Sequence, residues 1–192
     1  VSLTRLEGPA AEVITAADVL RHLRILDPEE ETAVADYVAA AVSHLDGPRG
    51  HLGRCLINQV WEEGFAKWSS PLPLSLPDAS DVAVSYLDTA GEEQTVDPAD
   101  YQLVEYPRGP RINFRASFAA PALSADDREP VTVIYTAGFG AAAADVPPAI
   151  VQAARLLAGH FYQNREAVTA GAMEELPLGV RTLCAPYRRS VI

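Results

Sequence analysis

Val146-Pro147-Pro148-Ala149-Ile150-Val151-Gln152-Ala153-Ala154-Arg155-Leu156-Leu157-Ala158-Gly159-His160-Phe161-Tyr162 decides the fold class of this 192-residue chain. Ile150, Ala154, Leu157 and Phe161 recur at i, i+4, i+7 and i+11, and Val151, Ala158 and Tyr162 widen the same stripe. Gln152, Arg155, Gln163 and Glu166 fall on other faces. A proline at the first helical position suits a helix start, because its missing N–H is one the helix cannot use there. The stretch therefore predicts a long amphipathic helix, and it follows a region with a different period.

Upstream, the alternation is that of strands. Val131, Val133 and Tyr135 alternate with polar residues, as do Val82, Val84 and Tyr86. Asp88-Thr89-Ala90-Gly91-Glu92 predicts a turn into a second strand near Gln94–Val96. Tyr101–Glu105 and Arg111–Phe114 flank Tyr106-Pro107-Arg108-Gly109-Pro110 and read as a hairpin. Ile57–Trp61 supplies a further strand before the proline-rich segment 70–77. Thr136-Ala137-Gly138-Phe139-Gly140 bends the chain out of the sheet, its glycines permitting the tight turn.

Two helices open the chain. Thr15 is an N-cap with Asp18 three positions on, followed by an apolar stripe of Val19, Leu20, Leu23 and Leu26. Asp27 and Pro28 then start a second helix whose first turn holds Glu29, Glu30 and Glu31, where the helix dipole favours anions. Val34, Tyr37, Val38, Ala41, Val42 and Leu45 form its apolar face, and Asp46-Gly47-Pro48 ends it. After a small, polar segment at 167–177, read as a mobile loop, a short helix runs from Leu178 to about Tyr187. The expected class is α+β: a helical core of two N-terminal helices, one long helix and a short C-terminal helix, with an inserted antiparallel β unit. The expected boundaries are 1–56 for the first helical part, 57–136 for the β unit, and 137–192 for the long helix, loop and C-terminal segment.

Charge is unevenly spread around a net of −11. Residues 57–135 hold 13 acidic and 5 basic side chains, whereas residues 136–192 hold 4 and 5. Wrapping of nucleic acid needs clustered Lys and Arg, and that class is excluded. The acidity alone favours solubility over the other reading, a surface along which DNA slides without sticking. A basic C-terminal edge, Arg181, Arg188 and Arg189, beside an acidic β unit suits head-to-tail packing of identical subunits. Lys67 is the only lysine among 15 basic residues, as in a GC-rich genome. No apolar run approaches the roughly 20 residues of a membrane span. Nor is there a basic segment with an apolar h-region, so the expectation is a cytoplasmic protein.

Candidate chemistry is sparse. Cys55 and Cys184 are too few for a disulfide framework and lack zinc spacing, so two reduced, buried thiols are expected. His44 and His51 bracket a turn containing Asp46 but match no ligand spacing. Cys184 with His160 is the least poor nucleophile–base pair, with no elbow, oxyanion segment or third orienting group to support it. Glu62-Glu63, Glu92-Glu93 and Asp126-Asp127 read as solvated pairs in or near turns. No catalytic, cofactor-binding or metal-binding residue is expected, and the chain reads as a non-enzyme.

In order and spacing, the chain resembles the head–tail connector (adaptor) proteins of long-tailed phages and of phage-derived gene transfer agents. The likeness extends over most of the length. It rests on Val19-Leu20-Arg21-His22-Leu23-Arg24-Ile25, Leu52-Gly53-Arg54 leading to Gln59-Val60-Trp61, Leu72-Pro73-Leu74, and the strand ending in Tyr86-Leu87-Asp88. It continues through Tyr101, Val133-Ile134-Tyr135-Thr136-Ala137-Gly138-Phe139-Gly140 and the helix from Val146-Pro147-Pro148 to His160-Phe161-Tyr162-Gln163-Asn164-Arg165-Glu166. Leu176-Pro177-Leu178-Gly179-Val180 and Pro186-Tyr187-Arg188 complete it, with Cys184-Ala185 a departure where a leucine-type residue is expected.

The resemblance implies a closed ring of roughly twelve copies beneath the portal protein, with double-stranded DNA passing through its lumen without specific binding. A lower neck (stopper) or tail protein would bind below, and no membrane or cofactor is involved. The location implied is the bacterial cytoplasm during assembly and then the neck of the tailed particle. The C-terminal segment would dock on the portal through Leu178, Leu183, Pro186, Tyr187, Arg188 and Arg189, ordering only on contact. Another neck component (a stopper or tail-completion protein) and, further off, a small cysteine/histidine-dependent enzyme are the competing readings.

Overall fold

The computed structural model describes residues 1–106, 108–164 and 177–189. The chain is α+β as its periodicities predict, and it divides into two compact units. One comprises residues 11–57 and 139–189, the other 1–10 and 58–138.

The helical unit contains α1 (Ala16–Leu23), α2 (Glu31–Leu45), α3 (Pro148–Gln163) and α4 (Leu178–Cys184). Thr15 caps α1 with a full capping box: its Oγ1 accepts from the Asp18 N–H at 3.1 Å, and the Asp18 carboxylate accepts from the Thr15 N–H at 3.2 Å. These bonds hold the Asp18 carboxyl below its ordinary pKa, the Thr15 backbone bond first. Arg24 ends the helix in the left-handed conformation. That stop leaves Leu26 outside the helix and 96% exposed, against the expectation that it extends the apolar stripe. A single 3-10 turn, Pro28–Glu30, precedes α2, and the Asp27 carboxylate accepts from the Glu29 N–H.

Val34, Val38, Ala41 and Leu45 of α2 are buried against Ile150, Ala153, Ala154, Leu157 and Ala158 of α3 in one apolar core. Val19 of α1 and Val180 and Cys184 of α4 enter the same core. At roughly 1.5–3 kcal/mol for each large side chain, such burial dominates the unit's stability. After α2, residues 46–56 fold back on the helix end. The His51 N–H donates to the His44 carbonyl at 2.8 Å, and the Asp46 carboxylate accepts from the Leu56 N–H at 2.7 Å. Pro147 and Pro148 open α3 as the sequence predicts. The Asp145 carboxylate, which accepts from the Ala142 N–H at 2.9 Å, lies so close to Gly140 that a Cβ there would be 2.3 Å from it.

The β unit holds a five-stranded antiparallel sheet in the order β1 (Ser2–Glu7), β2 (Gln59–Phe65), β8 (Val131–Ala137), β4 (Ala79–Leu87), β5 (Glu93–Thr95). A three-stranded sheet runs β3 (Leu72–Pro73), β7 (Arg111–Phe114), β6 (Tyr101–Val104). β8 is central: Val131, Val133, Tyr135 and Ala137 are buried at strict period two. β1 lies within residues 1–56, read from the sequence as the first helical part of the core, with no strand expected there. Residues 2–7 pair with β2 and belong to the sheet. In β4 the register against β8 shifts between Ser80 and Ala83, with Asp81 at φ 48°, a bulge that bends the strand.

Glu63 is a second correction. It was read as a solvated carboxylate, yet it lies within β2 and is 1% exposed. Its Oε2 accepts from the Tyr135 hydroxyl at 2.8 Å and the Ser75 N–H at 2.9 Å, and its Oε1 from the Ser75 hydroxyl at 2.5 Å. Three donors offset the cost of burying the group. The result pins segment 72–77, whose Leu72, Leu74 and Leu76 are buried, to the sheet. At the far end Trp68 packs edge-on to Tyr86, Phe114 and Phe118, with centroids 5.3–5.5 Å apart, while its Nε1–H donates to the Pro121 carbonyl at 2.9 Å.

Candidate functional site

The six C-terminal residues expected to dock on a partner do not share one environment. Pro177 caps α4, its carbonyl accepting from the Val180 and Arg181 N–H groups at 2.9 and 3.2 Å. Val180 and Cys184, one turn apart, are fully buried and anchor the helix. Leu183 and Tyr187 pack at the margin of the same core. Tyr187 meets Phe139 edge-on at 6.5 Å, and the Arg54 guanidinium lies 5.0 Å over the other ring of that pair, Phe139. Beyond the last 3-10 turn, Ala185–Tyr187, the Arg189 N–H donates to the Leu52 carbonyl at 2.9 Å. Nearby, Gly53 takes φ 65°, a backbone conformation that favours glycine.

Residues 178–189 are thus folded onto their own unit, not held loose until a partner arrives, because their apolar side chains already have a core to enter. Of the segment at 167–177, read as a mobile loop, residues 167–176 lie outside the described residues. Of the six expected residues, Leu178 (67% exposed), Pro186 and Arg188 face solvent. With Thr182 and Ala185, also exposed, Leu178 and Pro186 make a small, mostly apolar strip down the outer side of α4.

Beside this strip two guanidiniums meet a histidine pair, a grouping that sequence reading only half found. His44, at the end of α2, and His51, in the turn that follows, stack with ring centroids 6.2 Å apart and planes at 15°. Burial, and after it the charges of Arg188, His44 and Arg181, hold the His51 pKa below its ordinary 6.5. Arg181 and Arg188 were legible as a basic edge. Their meeting with the histidine pair was not, because α2 and α4 are separated by more than 130 residues of sequence.

The competing chemistry finds no support in the geometry. Cys184 is buried in the helical core, which raises its thiol pKa and disfavours the nucleophilic thiolate. His160 sits on the exposed side of α3, its ring contacting the Asn164 amide at 3.2 Å. Both cysteines are free and buried. Among the described residues no group of three His, Cys, Asp or Glu side chains could hold a metal ion. An open, shallow groove in the β unit, lined by Tyr86, Thr95, Asp97, Asp100, Phe118 and Pro121 among others, contains neither a cysteine nor a histidine. Among the described residues no helix is long and apolar enough to cross a membrane.

No protein-family model matches the chain, and no curated protein matches it. Solved structures do. A chain from the neck of an empty gene transfer agent particle, computed with C6 symmetry, superposes with a TM-score of 0.79 at 26% identity. A chain from the virion of a native gene transfer agent particle gives 0.78, also at 26% identity. In fold, a chain from the neck of a native particle computed with C12 symmetry gives 0.73 at 23% identity. Each likeness covers 100% of this chain and 97% of the other. End to end, the chain is similar to proteins of the gene transfer agent neck, and the resemblance to the neck connectors of phages and gene transfer agents drawn from its sequence is borne out.

Proposed function

We propose that this protein is a structural component of the neck of a tailed particle and, within the neck, the head–tail connector (adaptor). The observation that carries the reading is the full-length likeness to chains of gene transfer agent particles, at 26% identity. Symmetry of the related necks, C6 and C12, is compatible with a ring of roughly twelve copies of this chain. In that ring the portal protein binds above, a lower neck or tail protein binds below, and DNA passes through the lumen without being gripped. The acidity of residues 57–135 suits such passage, since phosphates are repelled by carboxylates. The protein is read as a non-enzyme; the buried Cys184 and exposed His160 lend no support to the alternative.

The portal-facing contact is assigned to the outer strip of α4, Leu178 and Pro186, with Leu183, Tyr187 and Arg189 holding the segment in position. An apolar strip mounted on a rigid helix can dock without a large ordering cost. Cryo-electron microscopy of tailed particles carrying the tagged protein tests the reading. Ring density between portal and tail that fits both units supports it. Particles that lack the protein refute the neck assignment, and density at the tail-proximal end of the neck would make it a stopper or tail-completion protein.

A further inference from the structure

The helical unit places the Arg181 and Arg188 guanidiniums beside the His44–His51 stack. Among the described residues, the side chains of Arg181, Arg188, His44 and His51 make no ion pair and no hydrogen bond. Arg181 and Arg188 are exposed, and the backbone around them is fixed. The Arg188 N–H donates to the Cys184 carbonyl at 3.1 Å, the Arg189 N–H to that of Leu52 next to His51, and the His51 N–H to that of His44. Exposed guanidiniums can each donate to a carboxylate through a fork of N–H groups.

Free carboxylates exist elsewhere in the same chain. At the turn from β4 to β5, the Asp88 carboxylate is occupied by the Ala90 and Glu92 N–H groups and the Gln94 amide. Glu92 and Glu93, by contrast, are exposed, and their side chains engage no described residue. They stand in a stretch with 13 acidic and only 5 basic side chains.

We propose that the Arg181–Arg188–His44–His51 cluster is the docking surface for the acidic β4–β5 turn, Glu92 and Glu93, of a second copy of this chain. A contact between two different patches of identical subunits is heterologous and propagates around a ring. The outer strip of α4 is left free for another partner. Opposed charge also fixes which face of one copy meets the next, since like patches repel.

Sedimentation of the purified full-length protein, at concentrations up to roughly 1 mM and at low and high salt, tests this. Association that weakens as salt rises is expected, with Arg181→Glu plus Arg188→Glu weakening it by about tenfold or more. Glu92→Arg plus Glu93→Arg should do the same. All four substitutions in one chain exchange the two charges and should restore association, a result that mere misfolding of either variant cannot give. All of these side chains are exposed, and far-ultraviolet circular dichroism checks that each variant is folded. Absence of salt-sensitive association in the native protein, or failure of the four-fold exchange to restore it, overturns the proposal. Neither result depends on whether tailed particles contain the protein, so this proposal and the neck assignment fail separately.

Discussion

The ring of Tyr187 stands edge-on to that of Phe139, with centroids 6.5 Å apart and planes at 83°. This contact closes the C-terminal segment onto the helical unit, together with the Arg189–Leu52 backbone bond. Tyr187→Ala should cost about 1–2 kcal/mol, from the lost ring pair and part of the buried area. Hydrogen exchange of residues 178–189 should accelerate in the variant while α2 stays protected. If portal attachment follows the position of α4, it weakens in parallel. Unchanged exchange would show that the segment is held by α4 alone.

Glu63→Ala should be among the most damaging single changes in the β unit. It strips the Ser75 N–H, the Ser75 hydroxyl and the Tyr135 hydroxyl of their shared acceptor. The half-buried Ser75 loses the acceptor of both its N–H and its hydroxyl, and a donor left unsatisfied costs about 1–3 kcal/mol. Thermal unfolding is the measurement, and a melting temperature equal to that of the native protein would contradict the assigned role.

His51 gives a pH signature. Burial first, and then the Arg188, His44 and Arg181 charges, lower its pKa from 6.5 in the folded state. The unfolded chain therefore takes up the proton more readily. The associated stability is fully present above about pH 6.5 and is lost as pH falls through the folded-state value. Melting temperature should decline more steeply below pH 6.5 in the native protein than in His51→Gln. Parallel curves would mean that His51 titrates as it does in the unfolded chain.

Gly159 of α3 faces Leu23 of α1, where an added Cβ would lie 3.1 Å from Leu23 Cδ2. An alanine methyl meets only the end of a flexible side chain, and Gly→Ala in a helix gains about 1 kcal/mol of propensity, so Gly159→Ala should be near neutral. Gly159→Val adds branched bulk at the same contact and should destabilise by about 1–3 kcal/mol. Chemical denaturation of the pair reads the difference, and equal midpoints would show that α1 moves aside freely.

Cys184, buried and with its thiol pKa raised, should react with a disulfide reagent at neutral pH only after denaturant opens the helical unit. Rapid labelling of the native protein would restore the nucleophile reading.

Much of this fold is written locally. Thr15 with Asp18, Pro147-Pro148, and the alternation of Val131, Val133 and Tyr135 each predict their element because the cause lies within a few residues. Leu26 was misread because the helix stops at Arg24, a left-handed residue that carries no glycine signal. β1 was missed because five of its six residues are exposed, and its only reason to be extended is pairing with a strand more than fifty residues away. Glu63 was misjudged for the same kind of reason: its partners, Ser75 and Tyr135, come from two other segments. At the candidate site, Arg181 and Arg188 were visible as charges, but neither the anchoring of α4 nor the histidine pair beside it could be read without tertiary contacts.

The division of the helical unit into residues 11–57 and 139–189 has a consequence for synthesis. A ribosome delivers β1, α1 and α2 first, then the strands β2 to β8, and only then the α3 and α4 on which the first two helices depend for their core. The apolar faces of α1 and α2 must wait uncovered while some eighty residues are made, and chains fold by units as they emerge. The β unit can close before that wait ends. Of the surfaces proposed here for assembly, those on α4 come into being last, so a nascent or truncated chain offers at most the acidic β4–β5 turn.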